Sequence, residues 1–330
     1  MSSRAEIFHS DQELFSRSRF LVTGGAGFIG SHITEYLLQH GAAQVRVLDN
    51  LSEGSRENIR PFENNPRFEF IEGDICNNNL VEQALKGIDF VSHQAALGSV
   101  PRSIKTPLAT NASNVTGFLN VLDAAKNAGV KRMVYASSSS VYGDHPVLPK
   151  IEENIGNPLS PYAVSKRVNE LYADVFARTY GMELVGLRYF NIFGPRQNPE
   201  GPYAAVIPLF IRSIHEKSPA WMNGDGQQTR DFTYVQNAVQ ANIRALFSTH
   251  PMACGRVYNV AVGERVSVLE MYHLLCEYAG VKAMPSHREA REGDIRDSLA
   301  DISKAHEYLG YQPLVKLKEG LRLTFDAFKP

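Results

Sequence analysis

Two stretches of this 330-residue chain hold residue types at spacings that could do chemistry. Ser160-Pro-Tyr162-Ala-Val-Ser-Lys166 sets a phenol and an amine four positions apart. Ser160 is a good N-cap and Pro161 suits a first helical position, so a helix starts there and Tyr162 and Lys166 lie one turn apart on one face. An ammonium beside a phenol stabilises the phenolate and lowers its pKa, letting a tyrosine act as a base near neutral pH. Upstream, Tyr135-Ala-Ser-Ser-Ser-Ser-Val-Tyr-Gly143 runs a buried-type strand into four serines, one of which could hold a substrate alcohol. Neither signal suffices alone. A serine cluster is often a solvated turn, and 14 tyrosines make a chance Tyr/Lys spacing expected. Tyr278-Ala-Gly-Val-Lys282 is such a match, interrupted by Gly280 and with no serine strand before it.

The order of elements gives the spacing its meaning. Phe20-Leu-Val-Thr-Gly-Gly-Ala-Gly-Phe-Ile-Gly30 reads as an apolar strand meeting Gly24, Gly27 and Gly30, and the helix-period segment Ser31–Leu38 follows. In such a G-x-x-G-x-x-G turn Gly24 turns tightly, Gly27 lets backbone N–H groups approach a pyrophosphate, and Gly30 lets the helix lie close on the sheet. A second strand, Gln44–Leu48, ends in Asp49, an acceptor at the distance a ribose diol requires. The plain alternative is an ordinary strand–helix turn.

Strands at Arg67–Ile71, Phe90–His93, Arg132–Ala136 and Glu183–Tyr189 alternate with helical stretches at Asn79–Lys86, Leu108–Asn127 and Pro161–Tyr180. Such repetition predicts a doubly wound α/β fold, a parallel sheet with helices on both faces and ligands at the strands' carboxyl ends. Past Asn191, the Pro- and Gly-rich Gly194–Tyr203 marks a boundary. Asn223–Gly226 reads as a turn within a hairpin, Tyr234–Phe247, Met271–Tyr278 and Lys304–Leu309 as helices, and Val257–Val262 as a strand. The expected division is a nucleotide-binding domain of residues 18–190 plus about 232–263. A smaller mixed α/β capping domain takes about 191–231 plus 264–330, and residues 1–17 form an extension, read as a short amphipathic helix or partly disordered.

Net charge is −1 with dispersed Lys and Arg, which argues against nucleic-acid binding. No apolar run approaches the roughly 18–20 residues of a membrane span, and no signal-peptide core is seen, so a cytoplasmic protein is expected. Cys76, Cys254 and Cys276 lie far apart and read as free thiols without a metal site.

Glycine loop, serine strand and capped Tyr/Lys helix, in that order, resemble the extended short-chain dehydrogenase/reductase family, and more narrowly its UDP-N-acetylglucosamine 4-epimerases. The resemblance runs from Phe20 to about Leu317. It includes Asp49-Asn50, Gly73-Asp74-Ile75, His93-Gln-Ala-Ala96, Asn114-Val-Thr-Gly117, Arg188-Tyr-Phe-Asn191, Arg230-Asp231 and Arg291-Glu-Gly-Asp294. It implies a Rossmann-type fold, tightly held NAD, and Ser138, Tyr162 and Lys166 as catalytic residues, with Ser139 and Ser140 as neighbours that could exchange roles with Ser138. By the same resemblance Asp49 and Asn50 bind the adenosine ribose side, favouring NAD over NADP, and Asp74 and Ile75 contact adenine. Phe28, Ile29, Gln94, Ala95, Ala96 and Asn114 complete the cofactor groove. Asn191, Arg230 and Arg291 would take the diphosphate of a UDP-sugar, Asp294 its ribose, and Gly98, Ser99, Ala205, Val206 and Ser298 the remainder. Two guanidinium forks suit a diphosphate on physical grounds too.

Related 4,6-dehydratases place Asp and Glu directly after the catalytic residue, where this chain has Ser139 and Ser140, so the acid for elimination is missing. Decarboxylating relatives need a glutamate there and a basic pocket. Oxidation at C4, rotation of the keto-sugar and return of the hydride to its other face remain: a 4-epimerase. Gly98 stands where galactose-type relatives often carry a lysine and Ser298 where narrow-pocket members carry a tyrosine, which leaves room for an acetamido group. Pro195 departs from an arginine expected after Phe-Gly. UDP-GlcNAc and UDP-GalNAc are the expected pair, with their uronic acids or UDP-Glc and UDP-Gal as further substrates. The alternatives are a nucleotide-sugar dehydrogenase or dehydratase, and a non-catalytic NAD or nucleotide-sugar sensor. The family's habit of pairing two long helices per subunit implies a homodimer through a four-helix bundle, with Leu119, Leu122, Leu171 and Val175 as candidate contacts.

Overall fold

The computed structural model describes residues 12–200, 204–282, 284–289 and 296–328. Seven strands form one sheet: β1 (Arg19–Thr23), β2 (Gln44–Asp49), β3 (Phe68–Glu72), β4 (Phe90–His93), β5 (Arg132–Ser138), β6 (Leu184–Tyr189) and β7 (Arg256–Val260). Their order is β7-β6-β5-β4-β1-β2-β3, and every neighbouring pair is parallel. The order reverses between β1 and β4, so a crevice must open at their carboxyl ends. β4 and β6 are buried at every position, as strands covered on both faces should be.

Helix α1 (Phe28–Gln39) follows the glycine loop, and α2 (Gly117–Asn127) and α3 (Pro161–Tyr180) pack on the sheet. The stretch expected as one helix over Leu108–Asn127 contains a π-helical turn at Ala112–Thr116. That bulge re-aims the side chains near Asn114, a common use of π turns. The described part of the N-terminal extension is the helix Gln12–Arg17, whose Phe15 is buried against Phe20 and Phe247.

Beyond β6 the chain builds a second core around Phe210, Met222, Phe232, Met271, Tyr272 and Phe325. It contains α4 (Val206–Glu216) and helices Val268–Ala279 and Leu317–Ala327, the first and last of which sequence periodicity had not been read for. Helix α5 (Val235–Phe247) and β7 return to the large sheet. The hairpin expected around Asn223–Gly226 does not form. A turn is present, with Gly224 and Gly226 at φ +65° and +77°, but Trp221–Asn223 pairs in parallel with Ser286–Arg288. A partner more than sixty residues away competes for the strand edge that local turn chemistry offers to its neighbour.

Candidate active site

The glycine loop is built as its residue types require. Gly24 has φ +69°, a conformation that favours glycine, and its N–H donates to Leu48 O at 2.8 Å. A Cβ there would lie 2.6 Å from Ala95 N, and one at Gly30 would lie 2.1 Å from Gly24 O. The close approach at Gly30 is therefore to the loop's own first glycine, which folds the loop tightly over the start of α1. Gly27 is the N-cap of α1, and no side chain caps it. A helix opening on a side-chain-free cradle suits a pyrophosphate, because backbone N–H groups and the helix dipole both favour an anion. Asp49 accepts from Ala26 N–H at 2.9 Å and Leu51 N–H at 2.8 Å, one on each carboxylate oxygen. Each oxygen keeps a lone pair for a ribose hydroxyl. Burial raises its pKa, against the pull of those N–H bonds.

This loop lies in a cleft of ≈ 1120 Å³, above the range of pockets for drug-sized ligands and roomy enough for a dinucleotide. Gly24, Gly27, Phe28, Ile29, Gly30, Asp49, Asn50, Asp74, Ile75, Gln94, Ala95, Ala96, Gly98, Ser138, Tyr162, Lys166, Asn191 and Ala205 all line it. Asn50 Nδ2 donates to Asp74 at 2.8 Å, which joins the ends of β2 and β3. Asn114 is the exception among the expected cofactor residues. It is buried behind the wall, exchanging hydrogen bonds with Leu97 N–H (2.8 Å) and O (3.1 Å) and with Ser165 Oγ (3.1 Å). It braces the wall instead of lining it.

The serine strand and the capped helix meet in this cleft. Ser160 Oγ accepts from Ala163 N–H at 3.1 Å, and Pro161 opens α3. The Ser138 side chain stands close enough to the Tyr162 phenol to pull its pKa down, and Lys166 Nζ lies 5.9 Å from the Tyr162 ring centre while donating to Ala136 O at 2.9 Å. Ser138 also accepts from Ser140 N–H (3.2 Å) and Oγ (3.0 Å). Ser139 and Ser140 open a short 3-10 turn off the cleft wall, so the serine beside the phenol is Ser138. Ser137 Oγ turns the other way, to Glu170 at 2.7 Å. Glu170 in turn makes a two-pronged ion pair with the buried Arg188. The second Tyr/Lys match is not a site: its helix ends at Ala279, Gly280 takes φ +65°, and Tyr278 donates to Lys318 O.

The electrostatics depart from the simple expectation for this pair. Burial raises the Tyr162 pKa, and the nearby Ser138 side chain recovers only part of the shift. Burial also lowers Lys166 to about 8, against the opposing charge of Glu170 one turn along α3. Burial thus disfavours the charged form of both groups, and a positive charge brought into the cleft would oppose the shift on the phenol.

A second cavity of ≈ 330 Å³ shares Gly98, Asn191, Gln197 and Ala205 with the cleft and adds Ser99, Val206 and Arg230. Asn191 sits at φ +38° and donates to Asp231 O at 3.2 Å. Non-glycine residues in this region gather at functional sites. Arg230 is held by the Thr229 and Arg296 carbonyls. Ser298 is buried, its N–H bonded to Thr229 O, and it lies on neither wall. Arg291 and Asp294 lie outside the described residues.

Sequence reasoning gave no role to two features. Arg196 and Gln197 of the loop read as a boundary both line the cleft. Asp231 is wholly buried and accepts N–H bonds from Val262, Gly263 and Ala300, which pins three segments around Arg230 and Ser298. Adjacency to Arg230 was the available signal. Among the described residues, no His/Cys/Asp/Glu cluster could hold a metal ion, and no helix is long and apolar enough to cross a membrane.

Comparison with known proteins agrees with this geometry. A family model described as the NAD dependent epimerase/dehydratase family matches residues 20–261. A putative UDP-glucose 4-epimerase of Methanocaldococcus jannaschii is 39% identical over 311 residues, 94% of this chain and 98% of that one. A UDP-N-acetylglucosamine 4-epimerase of Methanobrevibacter ruminantium, solved with UDP-N-acetylmuramic acid, superposes with TM-score 0.89 at 39% identity, covering 95% and 98% of the two chains. A Thermus thermophilus UDP-glucose 4-epimerase complexed with NAD gives TM-score 0.84 at 38% identity, covering 94% and 98%. The fold is of the Rossmann type found in these enzymes, and the cofactor is NAD. The chain belongs to the NAD-dependent epimerase/dehydratase family, among relatives that act as nucleotide-sugar 4-epimerases.

Proposed function

We propose that this protein interconverts UDP-GlcNAc and UDP-GalNAc by inversion at C4, in the cytoplasm, with NAD held as a prosthetic group. The observation that carries the reading is the Ser138–Tyr162–Lys166 group in the cleft, followed by Ser139 and Ser140 where an eliminating enzyme needs acids. NAD, when bound, would take up the C4 hydride and give the same hydride back, and would add a positive charge to the cleft. Tyr162 takes the proton of the 4-hydroxyl, Ser138 holds its oxygen, and the Lys166 ammonium stabilises the phenolate. The 4-keto sugar then turns over within the cleft, and Tyr162 returns the proton after reduction on the other face.

Residues 18–190 with about 232–263 would bind NAD, and residues of about 191–231 with 264–330 the UDP-sugar. Arg230, with Arg291, suits the diphosphate and Asp294 the uridine ribose. A Cβ at Gly98 would meet nothing within 4 Å, which supports space for an acetamido group at the junction of the two cavities. The Methanobrevibacter relative, solved with an N-acetylated UDP-sugar, points the same way. Ser298 is buried off the cavity walls, so in this reading its small size acts on the packing behind the sugar. A homodimer is part of the proposal: Ile104, Leu108, Leu171 and Val175 are exposed apolar residues near and on α3, whereas Leu122 is buried and Leu119 packs on the subunit's own core. Light scattering should return twice the chain mass.

The test is to incubate purified protein separately with UDP-GlcNAc, UDP-Glc and UDP-GlcNAcA without added NAD, and to follow the epimers by NMR. Fastest conversion of UDP-GlcNAc supports the reading. Stoichiometric NADH release, or a product lacking water, would replace it with a dehydrogenase or dehydratase.

A further inference from the structure

The segment following Asn191 does more than border two cavities. Arg196, with φ +65°, lines the NAD cleft and sends its guanidinium back to α1, donating to Glu35 Oε2 at 2.6 Å and to Ser31 Oγ at 3.4 Å. One residue earlier, the Pro195 carbonyl accepts from His32 Nε2 at 3.0 Å. The direction of that bond fixes the proton on Nε2. His32 stays neutral, its pKa lowered to about 4 by burial and then by the Arg196 charge. On its far side the same segment is tied to the second core, where Arg212 donates to Pro199 O at 3.2 Å.

Ser31, His32 and Glu35 lie in the turns of α1 directly after Gly27–Gly30, the part that lines the cleft. A pyrophosphate over the start of α1 is therefore flanked by the helix and by a strap latched to that same helix. The strap is also built from the chain that walls the sugar cavity, through Gln197.

We infer that the Glu35–Arg196 pair is a clasp that slows NAD dissociation, with Glu35 acting as a positioning residue for Arg196. The inference rests on NAD being retained through the cycle, as proposed above. Its distinguishing feature is that Glu35 does not line the cleft, so its effect on the cofactor must pass through Arg196. Unlike a contact to the nicotinamide end, the clasp changes residence and leaves chemistry alone once the site is full.

The experiment loads wild type, Glu35→Gln, Arg196→Met and the double variant with NAD, and measures dissociation by chase with excess unlabelled cofactor. A half-buried ion pair contributes modestly, so Glu35→Gln should speed dissociation by about threefold or more, with Arg196→Met at least as fast. The double variant should be no faster than Arg196→Met, as for residues acting as one unit. At saturating NAD, kcat of Glu35→Gln should match wild type, while at sub-saturating NAD it should fall and be restored by added cofactor. Unchanged dissociation in Glu35→Gln, or additive effects in the double variant, would overturn the clasp. Its failure is separable from that of the epimerase reading, because the chase needs no sugar and the turnover assay needs no variant.

Discussion

Lys166 reaches from the second turn of α3 to the carbonyl of Ala136, two residues before Ser138, with Nζ and the oxygen 2.9 Å apart. One side chain thus fixes the end of β5 to the helix that carries Tyr162. Removing it should cost both geometry and charge. Lys166→Met is expected to lower kcat by about 100-fold or more, within the range of acid–base contributions. It should also abolish a pH effect. Because burial lowers the folded pKa to about 8, below an unfolded value of roughly 10.4, the unfolded chain holds the proton over that window and stability rises with pH across it. Thermal unfolding from pH 8 to 10 should show this slope in wild type and not in the variant.

Tyr162→Phe should lose turnover by about 100- to 10,000-fold while retaining bound NAD, since the cradle is elsewhere. Ser138→Ala should retain more activity than Tyr162→Phe, and Ser139→Ala the most of the three. Cofactor content by absorbance and epimer ratios by NMR check both claims. An active Tyr162→Phe protein would remove the mechanism.

Gly30→Ala would put a methyl group 2.1 Å from the Gly24 carbonyl oxygen, a backbone atom that cannot rotate aside. Overpacking of this kind costs about 1–3 kcal/mol, and the loop must open to relieve it. The expected result is a lower melting temperature and a protein isolated with little or no NAD. Full cofactor occupancy in this variant would contradict the cradle.

Asp231 takes two N–H bonds on one oxygen and one on the other. Asp231→Asn keeps the shape but replaces one acceptor oxygen with a donor, so at least one buried N–H loses its partner, at about 1–3 kcal/mol. KM for the UDP-sugar should rise more than kcat falls, because the loosened segments carry Arg230 and Ser298. Burial raises the folded pKa to about 6, above the usual 3.9, so wild-type Asp231 favours the folded state most below that lower value and loses this contribution as pH rises through about 6. The variant should lack that loss, which melting curves between pH 4 and 7 would show.

Arg188→Met would leave Glu170 buried without its main counter-charge, a loss of about 3–5 kcal/mol. Reduced soluble yield and a much lower melting temperature are expected.

What could be read from the sequence was local. The turn at Gly24 and the cap at Ser160 are decided within a few residues, so types and spacing suffice for them. The alternation of strands and helices up to Tyr189 is likewise periodic, and the sheet follows. The parallel pairing of Trp221–Asn223 with Ser286–Arg288 is set by contacts across the fold, and no local signal competes with the turn beside it. Helix Leu317–Ala327 did carry a signal, since Leu317, Gly320, Leu321, Thr324 and Phe325 recur at helical spacing. Asn114 matched a motif, yet the π turn places it behind the wall, which spacing in a regular helix would not predict.

β7 pairs with β6 although about seventy residues of other structure separate them in the chain. During synthesis, β6 must therefore wait with one flank unsatisfied, on the order of 4–14 s at ordinary ribosomal speeds. An unpaired strand flank is a template for intermolecular pairing. The nascent chain is most exposed to association with its neighbours over this interval, and truncation anywhere between Phe190 and Arg256 would make the hazard permanent.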